Sequence, residues 1–314
     1  MKVAYIGNFE PEHSTENHVR AAWESQGHTI IRVQEGEQDA WEKLLDNIHA
    51  VDMILWTRTA DLAAKVGHRT QWRMLAAAQQ VGIPTVGFHL DRWWGLSREA
   101  TVWEEPFFRC QYVITADGGH QAEFESVGVN HIWLPPAVSL PETELGKPVP
   151  EFQGQIAFVG SWRPGYHAEW THRPELIQWL RDNYPQTKFW PRPNQPGIRG
   201  EDLRNLYAST DIVIGDSCLV GGARRYWSDR IPETVGRGGF LIHPYVEGLE
   251  EHYNVGDHLW TWNVGDWEGL RDQIETALSS PDGRALTQER GRAHVRENHT
   301  YERRVSQIVD IVKA

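Results

Sequence analysis

The chain has 314 residues, 40% hydrophobic and 24% charged, with a formal net charge of −12. Such a chain suits two soluble domains, each with its own core, and its acidic balance argues against a general binder of nucleic acid or anionic membrane. Cys110 and Cys218 are too few for a disulfide framework or zinc site, which points to a reducing cytoplasm, and no apolar run approaches the length of a membrane span.

In chain order, Lys2 to Ile6 reads as a buried strand and Thr15 to Gln26 as a helix stopped by Gly27. Thr29 to Val33 and Val51 to Trp56 are further strands, with a helix between them. Gln71 to Gln80 is helical, Pro84 to Phe88 is a strand, and Tyr112 to Thr115, Gln121 to Ser126 and His131 to Leu134 read as strand, helix, strand. The segment 138–153, with Pro141, Pro148 and Pro150, carries no apolar period and reads as a linker. A second alternating series follows: strand Gln155 to Gly160, helix Pro174 to Asn183, strand Lys188 to Trp190, helix Gly200 to Ala208 and strand Asp211 to Gly215. Apolar stripes at Trp267, Leu270, Ile274, Ala277 and Leu278, and at Val305, Ile308, Val309 and Val312, predict two closing helices. Twice-repeated alternation implies two α/β domains with parallel sheets, at 1–137 and 154–297, and a last segment 298–314. Open parallel sheets bind ligands beyond the carboxyl ends of their strands, so the site loops are expected there.

The stretch from Tyr226 to Glu251 carries the densest signal. Ser228 or Asp229 can cap a helix, Pro232 falls in its first turn, Gly238 and Gly239 end it, and Phe240 to Ile242 is a buried strand. Such a helix start suits a phosphate, with Arg230 adding charge. Glu233, one turn further in, can accept hydrogen bonds from two neighbouring hydroxyls such as those of a ribose.

Glu233, Gly238, the strand after them and Gly248-Leu249-Glu250 resemble the donor-site helix of GT-B glycosyltransferases of the group 1 clan, with its spore-protein-like and bacteriophage-encoded branches nearest in pattern. The resemblance covers residues 154 to 297 and is mainly architectural before that. It implies two Rossmann-like domains facing a cleft, with the final helix packed back on the first domain. It also implies metal-independent transfer of a sugar from a nucleotide-diphosphate sugar to a saccharide, protein or modified-DNA hydroxyl, with retained configuration. Glu233 would hold the nucleotide ribose. A second glutamate that many members carry eight residues earlier is replaced here by Arg225. That departure keeps open a reading of the chain as an inactive saccharide- or nucleotide-binding module.

Gly160, Ser161, Trp162 and Arg163 form a strand end and basic turn suited to a diphosphate, with Arg173 a second candidate ligand. Arg192 to Gly200 matches the family's base-contacting loop. Gly221 to Arg225 matches its donor-sugar loop, whose arginines can neutralise a leaving diphosphate. In the first half, His89, Asp91, Arg92, Trp93 and Trp94 follow a strand, and Asp91 or His89 is the candidate base. Gly7-Asn8 and His13 are weaker candidates. Sixteen tryptophans suit a saccharide-handling protein, with Trp93, Trp94, Trp103, Trp162 and Trp170 next to the site loops. No Walker loop, HExxH, CxxC or GxSxG occurs, and no aspartate pair spaced for a nucleotide-bound cation, so neither a cofactor nor a metal is expected.

Overall fold

The computed structural model describes residues 1–162, 169–220 and 224–314, the side chains of 60 and 61 excepted. The chain divides into two compact units, Met1–Pro135 with Tyr301–Ala314, and Pro136–Thr300.

Unit 1 is built on strands β1 (Lys2–Gly7), β2 (Thr29–Gln34), β3 (Met53–Trp56), β4 (Thr85–His89), β5 (Tyr112–Thr115) and β6 (His131–Trp133). All pair in parallel, in the order β2-β1-β3-β4-β5-β6. Its helices are α1 (Thr15–Ser25), α2 (Gln38–Asp46), α3 (Ala60–Val66), α4 (His68–Val81) and α5 (Gln121–Ser126). Ser14 caps α1 through its hydroxyl, which accepts from the Asn17 amide at 3.1 Å. The central strands are apolar on both faces, as a sheet covered by helices on two sides requires.

Unit 2 carries β7 (Gly154–Val159), β8 (Lys188–Trp190), β9 (Thr210–Ile214), β10 (Leu241–Pro244) and β11 (Trp260–Trp262). They too are all parallel, in the order β11-β10-β9-β7-β8. Read from its own first strand, this repeats the arrangement of unit 1: the second strand lies outside the first, and the later ones extend the other way. Both units are therefore Rossmann-like, and in unit 2 the strand order reverses between β7 and β9. Loops beyond those two carboxyl ends diverge to opposite faces and leave room for a ligand.

The helices of unit 2 are α6 (Arg173–Asn183), α7 (Gly200–Ser209), α8 (Arg230–Gly236), α9 (Trp267–Ser279) and α10 (Pro281–Asn298), and α11 (Tyr301–Lys313) returns the chain to unit 1. There, Gln26 Nε2 at the end of α1 donates to the Glu302 carbonyl at 2.6 Å, and Arg304 Nε donates to the Pro135 carbonyl at 2.8 Å. Within unit 2, the proline-rich segment is tied down rather than free. The Lys147 amide donates to Asn205 Oδ1, the Val149 amide to Ser209 Oγ, and Glu142 pairs with the buried Arg237 at 2.8 Å.

Sequence periodicity misses α10, whose 18 residues bury only Thr287, Gly291 and Val295. It packs on α8 through small residues. A Cβ on Gly291 would lie 2.4 Å from the His258 carbonyl oxygen and 2.7 Å from Val235 Cγ1, and one on Gly236 would lie 2.9 Å from Val295 Cγ1. Gly291→Ala is accordingly expected to destabilise the protein by roughly 1–3 kcal/mol, because a backbone carbonyl cannot step aside cheaply. A chemical-denaturation midpoint at wild-type level would show that α10 shifts without cost.

Candidate functional site

At the carboxyl edge of the unit 2 sheet, the ends of β7, β9 and β10 meet the start of α8. Asp216, just past β9, is 3% exposed and fully engaged as an acceptor. Its Oδ2 takes the Arg173 Nε–H at 2.7 Å, and its Oδ1 takes the Ser217 amide at 2.8 Å together with His172 Nε2. Arg173 also donates to the Ser161 carbonyl at 3.0 Å and lies 3.7 Å over the Trp170 ring. Burial lowers its pKa, and Asp216 opposes that shift.

Ser217 is wholly buried and links this cluster to the helix. Burial pulls the pKa of His243 down to about 4, so its ring is neutral. Its Nδ1–H donates to the Pro244 carbonyl at 2.7 Å, which leaves Nε2 to accept from Ser217 Oγ at 2.9 Å. Ser217 Oγ in turn accepts the Ser228 amide at 2.9 Å, and Ser228 Oγ donates to the Asp216 carbonyl at 3.0 Å.

Several sequence expectations change here. Neither Ser228 nor Asp229 caps α8 through its side chain, because the Ser228 hydroxyl serves the Asp216 loop instead. α8 itself has seven residues and ends at Gly236, ahead of the glycines read as its stop. The Gly160 amide is not open to a phosphate, since it donates to the Trp190 carbonyl at 2.9 Å. Arg173 is spent on Asp216. Arg225, at φ +47° and exposed, reaches Glu251 at 2.5 Å and joins the turn after β10. Gly200 stands buried at the start of α7 with φ +55°, a conformation that favours glycine. Arg163 and Gly221 to Ala223 lie outside the described residues.

Arg230 and Glu233 pair with each other at 2.9 Å, one turn apart, with side chains 17% and 20% exposed. Burial opposes the charge on Arg230, but Glu233 beside it outweighs that and holds the guanidinium firmly protonated. Arg237 Nη1 donates to the Glu233 carbonyl at 3.0 Å and fixes the turn that presents the carboxylate.

In unit 1, the segment after β4 is anchored by a residue the sequence did not single out. Asp117, wholly buried beyond β5, accepts the Trp93 and Trp94 amides through Oδ2, each at 2.7 Å. Burial raises its pKa, and those two amides oppose the shift. Trp93 and Trp94 are 3% and 9% exposed, so they are core residues rather than sugar platforms. His89 is buried between the Trp93 and Phe107 rings, and its Nε2 has no hydrogen-bond partner among the described residues. Burial takes its pKa down to about 4. Asp91 is the exposed acid of the segment. Asp117, Asp216 and His172 were invisible to motif reading because each acts through partners far along the chain.

Solved structures with the same fold include HepE of Anabaena in complex with UDP and glucose, 14% identical with a TM-score of 0.64 over 100% of this chain and 99% of HepE. Sucrose-phosphate synthase of Thermosynechococcus elongatus is 12% identical with a TM-score of 0.64, over 100% and 98% of the two chains. A glycosyltransferase of Rickettsia africae is 13% identical with a TM-score of 0.64, over 99% and 97%. These likenesses establish the GT-B architecture of two Rossmann-like domains. No curated protein sequence matches the chain. Residues 145–310, more than half the chain, match the glycosyl transferase-like family, and the protein therefore belongs to that family.

Proposed function

We propose that the protein transfers a sugar from a nucleotide-diphosphate sugar to a hydroxyl acceptor without a bound metal. The observation that carries this reading is the placing of Glu233 and Arg230 at the carboxyl edge of the unit 2 sheet, beside the reversal of strand order. Glu233 accepts the two ribose hydroxyls, and Arg230 supplies fixed positive charge. A uracil nucleotide is the leading donor, since HepE, of the same fold, has been solved with UDP and with UDP-glucose.

In the reaction, the bond from the anomeric carbon to the β-phosphate oxygen breaks, and its electron pair goes to that oxygen. The acceptor oxygen bonds to the anomeric carbon and gives its proton to a base, for which Asp91 is the exposed carboxylate after β4. Preorganised charge facing the departing diphosphate is the main source of acceleration.

A thermal-shift screen with UDP, GDP, ADP and UDP-glucose, run with excess chelator, tests the donor. Ligand at 100 times its Kd is expected to add about 2.7 kcal/mol of stability. Glu233→Ala is expected to weaken donor binding by roughly 1.5–3 kcal/mol while the protein stays folded. Calorimetry giving wild-type affinity for a folded variant would remove Glu233 from the site.

A further inference from the structure

The positive groups that the sequence offers for a diphosphate are largely committed. Arg173 is held by Asp216, Arg225 by Glu251 and Arg230 by Glu233. One ionisable group at the same sheet edge is arranged differently. The His172 side chain is 10% exposed, and its Nε2 is bonded to Asp216 Oδ1. Arg173 and the Ser217 amide both donate to Asp216, so the carboxylate is the acceptor here and the proton in this contact sits on Nε2. No protein group bonds Nδ1 among the described residues. With Nε2 turned to Asp216 and a tenth of the side chain open, Nδ1 is the ring nitrogen that faces away from the carboxylate.

We propose that His172 is a donor-site ligand: its imidazolium gives the Nδ1–H to the diphosphate of the nucleotide sugar, and Asp216 fixes the ring from behind. The inference rests on the donor reading above and adds the group that meets the leaving phosphate. Three physical facts support it. Asp216 sits at the reversal between β7 and β9, where an open parallel sheet takes its ligand. A carboxylate on one ring nitrogen selects which nitrogen faces outward. As the anomeric C–O bond breaks, negative charge grows on the phosphate oxygen, and the Nδ1–H bond strengthens with it.

Two substitutions separate this role from a purely structural one. A glutamine amide reaches the position of Nε2 and an asparagine amide that of Nδ1. His172→Gln therefore keeps the bond to Asp216 and loses the outward donor, whereas His172→Asn keeps the outward donor and loses Asp216. Affinity is measured by calorimetry for whichever of UDP, GDP and ADP binds the wild type most tightly, and for its parent nucleoside. Thermal midpoints of both variants report folding. His172→Gln is expected to weaken the nucleoside diphosphate roughly 10- to 100-fold with the nucleoside unchanged, and His172→Asn to weaken it less. Variants that retain the wild-type ratio of diphosphate to nucleoside affinity would overturn the proposal, as would a larger loss in His172→Asn than in His172→Gln. A wild type that binds none of the three diphosphates overturns the donor reading and this inference together. Binding by the wild type with an unchanged ratio overturns this inference alone.

Discussion

Asp91→Asn is expected to lower turnover by a factor of about 10² to 10⁴ while donor affinity changes little. The substitution keeps size and some hydrogen bonding but removes the basic carboxylate. Asp91 is the acid of its segment that reaches solvent, whereas His89 is sealed between aromatic rings with its pKa near 4. The chain that carries Asp91 is anchored two and three residues on, where the Trp93 and Trp94 amides donate to Asp117 at 2.7 Å. A general base must come within hydrogen-bond distance of the proton it takes. Steady-state kinetics with a saturating acceptor would give the split between kcat and KM. A loss of this size places the base on the protein and implies displacement on the face opposite the diphosphate. Near-normal turnover would pass the proton to the donor's own phosphate, the course that retains configuration.

The second large effect is on stability. Glu142→Ala is expected to cost about 3–5 kcal/mol, because it strands the buried Arg237 guanidinium. Arg237 is 4% exposed, its Nη2 reaches Glu142 at 2.8 Å, and Arg204 approaches the same carboxylate at 3.4 Å. Water cannot replace the lost partner at that depth. Arg237 also holds the Glu233 carbonyl, so its disturbance should reach Glu233 as well. Replacing Glu142 and Arg237 together by methionine should cost much less than the single change, since no charge is then left buried. Urea unfolding of the two variants and the wild type measures both numbers. A single variant that loses under 1 kcal/mol would mean that Arg237 swings out to solvent.

Alternation of apolar runs made both sheets legible, and β5, α5 and β8 fall on the residues read from the sequence. Such periodicity works where a strand or helix buries a broad apolar face. It fails for α10, which meets α8 through glycines that carry no hydrophobic signal. β11, the three-residue strand at the edge of its sheet, was not read from the sequence either. Glu233 and Arg230 could be singled out together because they lie three residues apart on one helix. The commitment of Arg173 was not, since its partner Asp216 is 43 residues away and pairing of that kind is set by the fold. The same applies to the bond between Asp117 and the tryptophan amides.

The course of the chain between the two units has a consequence for how the protein is made. Unit 1 is discontinuous: residues 1–135 need α11, the last helix, with Val305, Ile308 and Val309 buried in that unit. Unit 2 is one uninterrupted stretch. During synthesis residues 1–135 emerge before α11, yet the face of α1 that α11 packs against stays uncovered until that helix leaves the ribosome. The later-made unit is thus the one whose residues are all present first, which reverses the usual N-to-C order of domain completion. Any change that disturbs α11 therefore acts on the domain built from residues 1–135.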